Sequence, residues 1–220
     1  MPKSIITISQ VQEVLEKLTR AVDNKAFYAA LSAAKHVTNI AVNSECGLRS
    51  GYRLIRIDGR SNGIGANFEI ALVDDLEHSV VYYSMVMSTT LNDRPTAQTW
   101  VWRTYATSHW EALQTIVSKE SFKYIIERFD ILISNDLQMG SGEFFWLRQM
   151  TNSIADGYSV YYCKALTTKL QPISTQAALD HFVDQCWSGL HEQSQYLALI
   201  SRSPLSLALL VEPSKESVRE

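Results

Sequence analysis

The run Val80-Val81-Tyr82-Tyr83-Ser84-Met85-Val86-Met87 does most to limit what this chain can become. β-Branched and aromatic residues dominate it, which favours a strand, and it is apolar at both parities. Successive side chains of a strand point to opposite faces, so this strand needs apolar cover on both. It therefore belongs in the middle of a sheet, with helices on each side.

Its neighbours supply that sheet. Tyr52 and Leu54, then Phe68, Ile70 and Leu72, alternate with polar residues in the period of two that marks strands. Between them Gly59-Arg60-Ser61-Asn62-Gly63-Ile64-Gly65 contains Asn-Gly, the dipeptide that tolerates the positive φ angles of a tight hairpin. Further strands are expected at Ser79–Thr90 and Gln98–Tyr105, separated by the turn-forming Asn92-Asp93-Arg94-Pro95. The four make an antiparallel meander. Trp100 and Trp102 share one face of the last strand and Val101, Arg103 and Tyr105 the other, so the tryptophans are expected to pack under a helix layer.

Helical periodicity brackets the meander. Ser9 and Gln12 form a capping-box pattern ahead of Val11, Val14, Leu15, Leu18 and Val22, and Asp23 or Asn24 can cap a second helix carrying Phe27, Ala30, Leu31, Ala34 and Val37. After the meander, Ser108 and Glu111 introduce two short helices with Trp110, Leu113, Ile116, Val117, Phe122, Ile125, Ile126 and Phe129. The rest alternates: strand Asp130–Ser134, loop, helix Glu143–Ala155 closed by Gly157, strand Tyr158–Cys163, helix Thr175–Trp187 capped by Ser174-Thr175, strand Gln195–Ser201. Leu205–Val211 fits either a last strand or a short helix begun by Ser203-Pro204. The expected fold class is α+β, with an N-terminal helical pair, a largely antiparallel four-stranded meander, and C-terminal βαβ-like units extending the sheet. Residues 1–212 are expected to form one domain and 213–220 a disordered tail.

Charge and cysteine content narrow the partners. A net charge of −3, with lysine and arginine spread along the 220 residues, offers no field for a polyanion, which argues against nucleic acid. The most apolar stretch, Tyr196–Val211, is broken by Ser201-Arg202-Ser203-Pro204 and is too short for the roughly 20 apolar residues of a membrane span. The N-terminus lacks the apolar core of a secretory signal. Three cysteines, Cys46, Cys163 and Cys186, fit free thiols in a reducing compartment. A soluble, cytoplasmic protein without a membrane partner is the expectation.

One segment carries a pattern suited to a ligand. Ile131-Leu132-Ile133 is a buried strand feeding Ser134-Asn135-Asp136-Leu137-Gln138-Met139-Gly140-Ser141-Gly142-Glu143, a polar, glycine-bearing loop that enters a helix. Ligands of α/β sheets sit at the carboxyl ends of strands, glycine lets backbone approach them, and helix N-terminal N–H groups hold anions. Ser134, Asn135, Gln138, Gly140, Ser141 and Gly142 are the candidate ligand-binding residues, with Glu143 and Asp136 the candidate catalytic carboxylates. The other reading is a plain connection whose Glu143 complements the helix dipole, since such loops are common without ligands. Gly140-Ser141-Gly142 completes neither the dinucleotide fingerprint nor a P-loop.

Two families share part of this pattern. The run from Gln138 through Gly140 and Gly142 to Gly157 and the strand Tyr158–Tyr162 loosely resembles the acyl-CoA pyrophosphate loop of GNAT acyltransferases, over about a tenth of the chain. It departs from that family in being one residue short between Gln138 and Gly142 and in having a helix before the strand, and it does not assign the family. Nucleoside deoxyribosyltransferase-like folds are similar in leading from a glycine loop to a helix with a catalytic glutamate, a role that the resemblance implies for Glu143.

Other chemistry has less behind it. His36, His78, His109, His181 and His191 show no zinc-site spacing, and no metal site is expected. Cys163, at a strand end, and Cys186, on an apolar helix stripe, read as small core residues, and His181 with Asp184 as a solvated pair. Asn62-Gly63-Ile64-Gly65 is a hairpin turn rather than a phosphate loop, since no helix follows it. The leading expectation is a domain that binds a nucleotide-like or CoA-like anionic small molecule at 134–143, with transferase chemistry as its candidate activity. The alternative is a protein-interaction module of the inhibitor or immunity type. Neither cofactor identity nor oligomeric state is encoded in any motif.

Overall fold

In the computed structural model, which describes residues 8–41, 50–60, 67–91, 93–134, 142–164, 170–184 and 196–205, the Val80–Met87 run lies in the fourth of nine strands and is covered on both faces. The strands are β1 (Val37–Asn39), β2 (Tyr52–Asp58), β3 (Phe68–Asp74), β4 (Ser79–Leu91), β5 (Arg94–Arg103), β6 (Asp130–Ser134), β7 (Ser159–Lys164), β8 (Gln171–Ile173) and β9 (Tyr196–Ser201). They form one sheet in the order β1-β2-β3-β4-β5-β6-β9-β7-β8. The β2–β5 meander is antiparallel throughout, as the alternation and turn chemistry predict. The short strands β1 and β8 lack enough residues to show a period, and sequence reading misses both.

One face carries α1 (Ile8–Thr19) and α2 (Ala21–Ser32). Val11, Leu15, Leu18 and Leu31 are fully buried against Ile55, Ala71, Tyr83, Met85, Trp100 and Trp102. Each such side chain contributes about 1.5–3 kcal/mol of transfer free energy. The tryptophans thus pack beneath the helical pair. Ser9 lies inside α1 rather than capping it, and Val22 is in α2, exposed. Asn24 does not cap α2. Its amide donates to the carbonyls of Leu18 and Val80 and its oxygen accepts from Val80 N–H at 2.7 Å, which pins the helix to β4.

The other face is covered by one continuous helical run: a 3₁₀ turn at Thr107–His109, α3 (Trp110–Ala112), a π-helical stretch Leu113–Ser121 and α4 (Phe122–Ile126). Two separate helices are expected from sequence, but the widened π turn lets Leu113, Ile116, Val117, Phe122, Ile125 and Ile126 share one buried side without a break. Ser108 makes no cap, and Trp110 points to solvent. Beside this run lie α5 (Gly142–Ala155) and α6 (Gln176–Phe182). Thr175 caps α6 by accepting from Ala178 N–H, and Gly157, at φ +80°, ends the turn after α5 with Tyr158 N–H donating to Ser153 O.

The second half of the sheet is less regular. β5 and β6 are parallel, as the intervening helical crossover requires, and β6 and β7 run in the same direction on either side of α5. β9 lies between them, antiparallel to both. No helix among the described residues is long and apolar enough to cross a membrane.

Candidate functional site

The parallel pair parts toward its carboxyl end. β5 and β6 pair only at Thr96↔Asp130, Ala97↔Ile131 and Gln98↔Leu132, after which β5 follows β4 to Arg103 and β6 follows β9 to Ser134. Of the ligand residues expected from sequence, Ser134 is the last residue of β6, paired with Leu197, and Gly142 and Glu143 open α5. Asn135, Asp136, Gln138, Gly140 and Ser141 lie outside the described residues.

Beyond the last β5–β6 pair, the end of β5 presents an arginine that has no carboxylate partner among the described residues. Arg103 ends β5 on the face shared with Ala97 and Val101, which packs in one core with Phe145 of α5. Tyr82 is its cross-strand partner, and the Tyr82 ring lies 6.0 Å from that of Phe145. Arg148, one helical turn beyond Phe145, is near enough for its charge to act on Arg103. Burial holds the Arg103 pKa below that of an ordinary guanidinium, against an opposing pull from Tyr105 and with a smaller push from Arg148. A guanidinium nevertheless stays charged in a protein. Among the described residues the other partly covered arginines are neutralised: Arg53 by Asp75, Arg56 by Asp58, Arg60 by Glu69 and Arg94 by Asp130. Among the described residues Arg103 has no such ion pair. Buried polar atoms without hydrogen-bond partners lie on the same layer: Thr99 Oγ1 on β5, and Trp146 Nε1 and Gln149 Nε2 on α5.

On the opposite face, the chain leaving β5 closes a second site. A cavity of about 730 Å³ is lined by Leu18, Asn24 and Lys25 from the helical pair, Leu76–Val80 from the β3–β4 turn, and Trp102, Thr104, Tyr105, Ala106 and His109. Its polar wall is built locally. Asp74 Oδ1 accepts from the N–H groups of Leu76 and Glu77, closing an Asx-type turn in which His78 takes φ +52°. A bulge at Leu72/Val73 adds twist just before it. The Tyr52 hydroxyl meets His109 Nδ1 at 2.7 Å, Asp74 Oδ2 lies 3.8 Å from the same nitrogen, and Glu77 Oε2 lies 3.6 Å from Nε2. Asp74 and His109 are buried, and Glu77 is exposed.

Sequence reasoning passes over these residues because Tyr52, Asp74 and His109 come from β2, β3 and the turn after β5, at separations no motif links. Cys163 is a buried core residue whose thiol pKa is raised by burial, and His181 is exposed on α6. The chain matches no family model, no curated protein and no solved structure.

Proposed function

We propose that this chain binds an anionic small molecule of CoA-like or nucleotide-like type at the parted carboxyl ends of β5 and β6, with group transfer as the chemistry such a ligand serves. The observation that carries this reading is Arg103, a partly buried guanidinium within electrostatic reach of Arg148 and with no ion-pair partner among the described residues. Partial burial of a cation without a counter-charge is costly, and an anion that reaches Arg103 relieves that cost with charge-assisted hydrogen bonds. The parting strands favour the CoA-like form, because main-chain groups no longer paired between β5 and β6 suit an extended, amide-bearing arm.

The test is a thermal-shift and calorimetry panel of acyl-CoAs, nucleoside diphosphates and inorganic phosphate. A ligand at 100 times its Kd adds about 2.7 kcal/mol of stability, and Arg103→Gln or Arg148→Gln is expected to weaken it about tenfold or more. No shift across the panel rejects the reading.

A second reading, a protein-interaction module, is favoured by a different observation. Leu76 and Tyr105 are 73% and 71% exposed on the wall of the 730 Å³ cavity, and Trp110, next to His109, is 58% exposed. Apolar surface of this kind is typical of interfaces. Loss of partner capture in a Leu76→Ser, Tyr105→Ser variant that keeps its stability is its test.

A further inference from the structure

The 730 Å³ cavity between the helical pair and the β3–β4 turn takes no part in the anion site at Arg103. Its volume is that of a small-molecule site, about 300–1,000 Å³, and such sites are mostly apolar with a few convergent polar groups. Leu18, Val80 and Trp102 give it buried apolar wall, Tyr105 an exposed ring, and Glu77 and His109 polar atoms. We propose that it binds a small aromatic amine, whose ammonium group donates to Glu77 Oε2 and to Nε2 of His109.

Glu77 Oε2 and His109 Nε2 lie 3.6 Å apart, and both residues line the cavity. Charge-assisted hydrogen bonds from nitrogen are about 2.7–2.9 Å long, so one ammonium nitrogen can reach both atoms. The two nitrogens of the imidazole have separate surroundings. Nδ1 has the Tyr52 hydroxyl at 2.7 Å and Asp74 Oδ2 at 3.8 Å, and neither of those residues lines the cavity. Asp74 is buried whereas the Glu77 side chain is 61% exposed, so the Asp74 charge is the less screened of the two. It draws the imidazole proton to Nδ1, which donates it to the Tyr52 oxygen. Nε2, on the Glu77 side of the ring, is left as a lone-pair acceptor.

Two acceptors side by side select a donor group with at least two hydrogens, and the carboxylate selects a positive one. A primary ammonium meets both demands. An anion would face Glu77 at the polar end, with the Asp74 charge behind the histidine. Lys25, the one lysine of the lining, is exposed, where water and salt screen it. The walls choose the body of the ligand: Trp102 and Tyr105 favour a ring and attract a cation, and an alkyl chain as thin as that of lysine leaves most of 730 Å³ unfilled.

The experiment is calorimetric titration of the full-length protein with tryptamine. Its neutral and anionic analogues, tryptophol and indole-3-propionate, are run in parallel, with butylamine standing in for a lysine side chain. One saturable tryptamine site is expected, with each of the other three bound at least tenfold more weakly, and the His109 ring signals in proton NMR should shift along the same binding curve. Glu77→Gln should weaken tryptamine at least tenfold and leave tryptophol unchanged, and this exposed side chain can change without disturbing the core. The proposal is overturned if tryptamine shows no saturable site, if the His109 signals do not respond, or if Glu77→Gln keeps the preference for the amine. Equal binding of any of the three comparison compounds overturns it as well. None of these readouts involves Arg103, so failure to bind acyl-CoAs or nucleotides there leaves them standing.

Discussion

The Tyr52 hydroxyl lies 2.7 Å from Nδ1 of His109, and the two rings meet edge to face at 5.9 Å between centroids, tying β2 to the first turn after β5. Tyr52→Phe keeps the ring contact and removes the hydrogen bond. Leaving a buried imidazole nitrogen short of a partner costs about 1–3 kcal/mol. Chemical denaturation should show that loss, and proton NMR a changed His109 ring environment. Unchanged stability and an unchanged His109 signal would show that the pair is incidental.

Asn24 holds α2 to the sheet through both ends of one side-chain amide. Asn24→Ala strands the N–H and C=O of Val80 and should cost about 2–4 kcal/mol. Asn24→Asp should be comparably destabilising, because a carboxylate oxygen then faces the carbonyls of Leu18 and Val80. Equal stability of Asn24→Asp and the parent would refute the donor role.

Glu69 is a carboxylate with 1% side-chain exposure, held by two hydrogen bonds from Arg60 at 2.7 and 2.8 Å and by the Tyr83 hydroxyl. Arg60→Ala leaves that charge buried without its cation and should cost about 3–5 kcal/mol. The double variant Arg60→Ala, Glu69→Gln should recover part of the loss, which a double-mutant cycle in urea measures.

Stability should fall at both extremes of pH. The Tyr82 and Tyr83 phenols are pushed up by burial, Tyr83 further by the Glu69 charge, so their folded pKa values exceed the unfolded value of about 10. Their contribution is full below about pH 10 and is lost as pH rises through the folded values. Ultraviolet titration should find at least two of the ten tyrosines un-ionised until the chain unfolds.

At the acid end, hydrogen bonds from Arg53 and then Tyr28 pull the Asp75 carboxyl down, against partial burial. Its contribution is present above the unfolded pKa of about 3.9 and is lost as pH falls through the folded one. Asp75→Asn should flatten the acid limb of a stability profile. A profile identical to the parent's would exclude the pair as a source of that slope.

The parts of this fold that announce themselves in sequence are those where side-chain period and end chemistry agree. The meander reads from Tyr52 to Trp102 because alternation, turn residues and the doubly apolar Val80–Met87 run coincide, and β6 reads with its boundaries correct. The insertion of β9 does not read, because a strand's pattern gives its faces and not its neighbours. For the candidate sites, the strand-end rule leads to β6, whereas the charged side chains that the structure brings together belong to β5 and its surroundings. Arg103 looks ordinary in sequence. Its interest lies in having no carboxylate partner among the described residues, and that depends on its surroundings in β4 and α5.

The position of β9 governs the order in which the sheet can be finished during synthesis. Its ladders join Ile131 to Ile200 on one side and Ser159 to Ser201 on the other. Until the ribosome has released the chain beyond Ser201, β6 and β7 face each other across a missing strand, each with a bare hydrogen-bonding edge. The nascent protein therefore passes through a stage with a cleft shaped to accept a strand. During such a stage the equivalent segment of another molecule can compete with its own, which exposes late closure of this cleft to domain swapping and aggregation.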